Sequence, residues 1–122
     1  YTFASAQGVT IEDVSGVDPP LSLTIADATA TTWLEDDALV VNAPTIISST
    51  GPGTTMIEAS QATDELTVET WFKAANTTQD GPARIVTLSV DPLHRNFTMG
   101  QVGDSLEVRL RTTETSENGV PA

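Results

Sequence analysis

The sequence predicts an all-β domain, a sandwich or barrel of short strands. Thr, Val and Ile are abundant, and apolar residues alternate with polar ones along much of the chain, the period of a strand with one covered face. No stretch of about eleven residues keeps a helical period. Seven prolines and eight glycines break the chain at short intervals, as a set of short strands and turns requires.

Taken in order, Tyr1 to Phe3 reads as a first short strand. Asp18-Pro19-Pro20 breaks the chain, because proline fixes φ and lacks an amide donor. Residues 21–25 form a strand with Leu21, Leu23 and Ile25 on one face. Trp33 and Leu34 lead into an acidic turn, Glu35-Asp36-Asp37, and strands follow at 38–42 and 45–49. Thr55 and Glu58 fit a capping box, which predicts a single helical turn near 56–61.

The stretch from Glu65 to Thr112 reads as four consecutive strands. The first puts Leu66, Val68, Thr70 and Phe72 on one face, with Thr67, Glu69 and Trp71 on the other. A polar loop spans Ala74 to Pro82. Strand 84–90 aligns Val86, Leu88 and Val90; strand 95–101 aligns Phe97 and Met99. Gly103-Asp104 supplies a tight hairpin turn, glycine providing the positive φ. Strand 105–112 then alternates, with Leu106, Val108 and Leu110 expected inward and Glu107, Arg109 and Arg111 outward. The tail from Thr113 to Ala122 is polar.

The 122 residues suffice for one domain. With no cysteine, there is neither a disulfide framework nor a thiolate metal site. The apolar runs are too short to span a bilayer as a helix. The chain opens on Tyr1 with no initiator Met or signal peptide, so a processed protein or a fragment is expected. The net charge of -12 argues against nucleic acid and anionic lipid as partners and suits solubility in salt. Residues 1–72 hold eleven acids and no Lys or Arg, so all five cations come later. The acids of that first part must face water, hold a cation or meet the later arginines.

The segments YTF, GVTIEDVSGVDPPLSLTI, ATTWLEDDALVV, ELTVETWFKAAN, GPARIVTLS, RNFTMGQ and VRLRTT resemble, in this order, the laminin-G-like, concanavalin-A-like domains of bacterial secreted and envelope proteins. The run GPARIVTLS, RNFTMGQ, RLRTT is the most specific part. The resemblance implies a jelly-roll β-sandwich of antiparallel strands and a location that is extracellular, periplasmic or in the cell envelope. Such domains run to about twice this length and continue with a Trp-x-His and Tyr-Asp-Gly hairpin that the chain lacks. Residues 1–122 are therefore expected to be a single partial domain, its leading half. Half a jelly roll leaves strand edges and an apolar sheet face open. A second copy, another chain or the rest of a longer protein is expected to cover them, with attachment at Leu106 to Leu110.

No constellation for catalysis stands out. His94, the one histidine, lies in a turn and reads as a surface residue; there is no Cys and no Gly-x-Ser-x-Gly. Glycosidases with the implied fold carry Glu-x-Asp-x-x-Glu or a close variant, which is missing, so a glycosidase-related domain is a remote alternative. Trp71, with Glu69 and Lys73 at period two, is the best ligand candidate, an aromatic platform for a sugar ring. Its other reading is a core residue beneath the missing half. Arg109 and Arg111 can bind an anionic group, or pair with acids such as Glu69 or Glu107. Relatives with the implied fold often hold a structural calcium, and Asp13, Asp36 and Asp37 are the candidate ligands. Two functions are therefore expected. One is a non-catalytic module for recognition of glycan or protein. The other is a structural subunit whose sandwich another chain completes.

Overall fold

The structure, a computed structural model, describes residues 1–4 and 7–121. It is mostly β, with strands in three antiparallel sheets and a minor share of helix. The chain divides into two compact units, Tyr1–Glu65 and Leu66–Ala122.

In the first unit, β1 (Thr10–Ile11) pairs with β2 (Leu23–Ile25). A single 3-10 turn at Ala28–Ala30 is capped by Asp27, whose carboxylate accepts from the Thr29 amide at 2.9 Å. The hairpin of β3 (Thr31–Leu34) and β4 (Ala38–Val41) follows, joined by the expected acidic turn at residues 35–37. Then β5 (Ile47–Ser49) closes the order β1-β2-β5. Ile11, Ile25 and Ala30 form the small core of this unit. Trp33 stands at its edge, its Nε1 donating to the Gly8 carbonyl at 3.0 Å and its ring tilted against Phe3 at 6.4 Å.

Several expectations are corrected in this unit. Tyr1 to Phe3 is not a strand: Phe3 takes a φ of 57°, and Tyr1 donates its hydroxyl to the Leu21 carbonyl instead. Strands expected at 21–25, 38–42 and 45–49 are each shorter by one or two residues. The helical turn is a full helix, α1 (Thr54–Thr63). Its N-cap is Gly53, with no side-chain cap, so the Thr55–Glu58 box does not form. No residue of α1 is buried, so it packs little apolar surface, and that is why no helical period marks it.

The second unit is an antiparallel meander of β6 (Gln79–Ser89), β7 (Arg95–Gly103) and β8 (Ser105–Leu110). The turn at Gly103-Asp104 is as expected, with Gly103 at φ 60° and Val102 paired to Ser105. β6 begins five residues before the expected start at 84, taking in part of the predicted loop, and its register shifts show three irregularities. The strand expected at 66–72 is absent; that segment belongs to no sheet. Its alternating residues mimic a strand, but they pair with no neighbour, and alternation alone supplies no hydrogen-bond partner.

The main reversal concerns which face of this meander is covered. Along β8 the alternation is real, yet Leu106, Val108 and Leu110 are exposed, while Glu107 and Arg109 are half-buried. The inward placement expected for the apolar three is therefore wrong. Among the described residues, the fully buried apolar side chains all lie in the first unit; in the second, the buried side chains of this class are Arg95 and Thr98. A pattern of period two names two faces but does not say which one is covered.

Candidate functional site

The register of the meander builds two opposed surfaces. Phe97 sits opposite Leu88 and Leu110, and Met99 opposite Val86 and Val108. Side chains alternate across a strand, so these residues share one face. Leu66 and Val68, from the irregular segment before β6, join Phe97, Met99, Val108 and Leu110 around a shallow groove of about 250 Å³. Thr98, between Phe97 and Met99, is the one polar residue of this lining, and its side chain is fully buried on the opposite face. The groove is apolar and open to solvent, with Val108 58% and Leu110 43% exposed.

The other face carries the polar residues. Thr98 pairs with Thr87 and Arg109, and Gly100 with Arg84 and Glu107. A bulge at Asn96, between the pairs Leu88–Phe97 and Ser89–Arg95, turns Arg95 onto this face as well. The tail lies against it. Glu117 accepts from the Arg95 amide at 3.0 Å through its carbonyl. Gly119, at φ 68°, comes so close that a Cβ would stand 3.1 Å from that of Arg109. Any side chain there would meet both the left-handed backbone and Arg109.

Arg95 is a buried charge. It is 5% exposed, Nη2 donates to the Pro92 carbonyl, and Nε and Nη1 find no partner among the described residues. Desolvation, then the charges of Arg109 and Arg84, push its pKa below the usual arginine range. Arg109 fares better: its Nε donates to Glu107 Oε1 at 2.5 Å. The pairing of Arg109 with Glu107 was anticipated, although the partner is on its own strand. Arg111 lies beyond the end of β8, exposed, with its amide on the Asn96 carbonyl.

Trp71 and Glu69 are brought together, Nε1 donating to Oε1 at 3.0 Å. They do so on the irregular segment and not on a sheet face. Trp71 is 92% exposed, so nothing within this chain covers it, and it does not line the groove. His94 sits between two carboxylates, Nδ1 at 2.8 Å from Asp91 and Nε2 at 3.3 Å from Glu117. The amides of Leu93 and His94, together with the His94 ring, hold the Asp91 carboxyl below its ordinary range.

The three candidate calcium ligands are not gathered. Asp13 spends Oδ2 on the Leu21 amide (2.7 Å) and Oδ1 on the Ser15 amide (2.8 Å). With the Leu21 amide as the main cause, its pKa falls to about 2. Asp36 and Asp37 stand exposed in the β3–β4 turn. Among the described residues, no three His, Cys, Asp or Glu side chains are placed to hold a metal. Among the described residues, no helix is long and apolar enough to cross a membrane.

Sequence reasoning placed the apolar groove residues on strand faces and named Leu106 to Leu110 as a place of attachment, but it did not name the groove as a site and assigned β8 the opposite covering. Nothing in the sequence signalled Arg95, because its burial follows from a bulge and from a tail distant in sequence. No family model, curated protein or solved structure matches the chain.

Proposed function

We propose that the chain is a non-catalytic, laminin-G-like module that works in assembly outside the cytoplasm, and that the apolar groove takes an extended segment of another protein chain. In this reading the meander is one layer of a jelly-roll sandwich and the incoming segment helps to cover it. The observation that carries the proposal is the inverted covering of β7 and β8: the polar face is packed and the apolar face is open. Soluble proteins seldom leave contiguous apolar surface without a partner for it. Covering one half-exposed Val or Leu contributes on the order of 1 kcal/mol, so a few such side chains suffice for selective binding. Sugar recognition calls for polar groups converging on hydroxyls, and the groove offers none: its one polar lining residue, Thr98, is fully buried with its hydroxyl on Thr87.

A second reading is supported by one specific feature. Trp71, almost fully exposed and steadied by Glu69, is a platform on which a sugar ring can stack. The two readings separate in one experiment. The immobilised chain is offered short apolar peptides of strand-forming sequence, and separately a panel of glycans. Assembly through the groove predicts peptide binding that Val108→Asp and Leu110→Asp abolish and Trp71→Ala leaves intact. Glycan binding lost in Trp71→Ala, with no peptide binding, would sink the assembly reading.

A further inference from the structure

The outer edge of β8 carries a sequence that is complementary to itself. Read from Leu106 to Leu110 it is Leu-Glu-Val-Arg-Leu; read backwards, apolar residues again meet apolar ones and each charge meets its opposite. β8 is also an end strand of its sheet, in the order β6-β7-β8. Arg111 donates its amide to Asn96 on β7 at 2.8 Å. Antiparallel alternation therefore turns the amides of Arg109 and Glu107 toward β7, and those of Val108 and Leu106 toward the outer edge. Up to Val108 that edge holds no Pro or Lys, and its apolar side chains Leu106 and Val108 are 55% and 58% exposed.

We infer that the partner of this edge is a second copy of the same chain, paired antiparallel about a two-fold axis at Val108. The inference rests on the assembly reading above and adds a second contact to it, at the strand edge and not in the groove. In this register Val108 lies beside Val108 of the second copy, and Leu106 beside Leu110. Glu107 faces Arg109 of the second copy on the polar side, and Arg109 faces Glu107. Opposite charges at directly facing positions favour the pair, and like charges there disfavour it. The existing bond from Arg109 to Glu107 becomes part of a network of two carboxylates and two guanidiniums. A two-fold contact requires one patch to fit itself, which few five-residue stretches do. The free edge ends at Leu110, whose carbonyl accepts from Thr115 Oγ1 at 2.9 Å and whose amide lies close to Gly119. The ladder is thus short, and side-chain pairing supplies the specificity. The two meanders join into one continuous antiparallel sheet, and their apolar faces become a single surface.

The test uses charge exchange, read by sedimentation or native mass of the 12.8 kDa chain. Wild type associates as a dimer. Glu107→Arg alone, or Arg109→Glu alone, places two like-charged pairs in every homodimer and weakens association about 100-fold. Mixing the two variants restores the dimer as a heterodimer, because Arg then faces Glu at both positions. The double variant E107R/R109E keeps the complementarity, dimerises, and shows that these positions tolerate exchange. A monomeric wild type overturns the inference, and so does a dimer indifferent to both reversals. So does a failure of the mixed variants to associate while E107R/R109E does so. If wild type is monomeric yet the groove binds apolar peptides, the dimer falls and the assembly reading stands. If neither is seen, both fall.

Discussion

The hydroxyls of Thr87 and Thr98 lie 2.6 Å apart on neighbouring strands, and Thr98 is fully buried. Thr87 also donates its one hydroxyl proton to the Phe97 carbonyl at 2.9 Å. Thr98 must therefore donate to Thr87. The order of this relay predicts an asymmetry. Thr87→Val strands the buried Thr98 hydroxyl without an acceptor and should cost about 1–3 kcal/mol. Thr98→Val leaves the Thr87–Phe97 bond in place and should cost less. Urea unfolding of the two variants checks this; a larger cost for Thr98→Val would mean that the proton runs the other way.

Arg95 is buried with two nitrogens unpartnered among the described residues, and the charges of Arg109 and Arg84 act against its own. An apolar side chain of similar length removes that desolvation and repulsion while filling the space. Arg95→Met is expected to raise stability by about 1–3 kcal/mol. A loss of stability measured by thermal or urea unfolding would show that the guanidinium has a partner the hydrogen-bond geometry does not reveal.

Asp13 ties the 13–21 loop through the amides of Ser15 and Leu21. Its folded pKa of about 2 lies below the ordinary 3.8. A depressed carboxylate pKa stabilises the fold above the ordinary value, and that contribution is lost as pH falls from 3.8 toward 2. The amide resonances of Ser15 and Leu21 should shift with a midpoint near pH 2, and Asp13→Asn should remove the transition.

The two tryptophans should behave oppositely. Trp71 is 92% exposed, so Trp71→Ala should change stability by no more than about 0.5 kcal/mol. Trp33→Phe removes the bond to Gly8 and part of the packing on Phe3, and should cost about 1–2 kcal/mol. Acrylamide quenching of single-tryptophan variants offers a second readout, with Trp71 the more accessible.

What could be read from the chain was the local part. The Gly103-Asp104 turn, the β7–β8 hairpin and the acidic β3–β4 turn follow from residue types with strong backbone preferences, and they stand as expected. The failures in the second unit depend on distant partners. Residues 66–72 alternate as a strand does, but no neighbour pairs with them. Leu106, Val108 and Leu110 were recognised as one face, but whether that face is covered depends on where the tail goes. Gly119 carries the tail close to Arg109 on the opposite side. Arg95 was legible only as a charge, since its burial requires the bulge at Asn96 and the contact with Glu117.

The inverted covering of β8 also reshapes how substitutions there would be tolerated. In a scan of the folded chain for stability, the usual hierarchy should be turned over. Polar replacements at Leu106 and Val108 would pass almost unnoticed, while changes at Glu107 and Arg109 would be felt. A parallel scan for association should yield sensitivity at all four positions. The apolar residues of this strand would then be maintained by selection on encounters between molecules, and not by selection on folding.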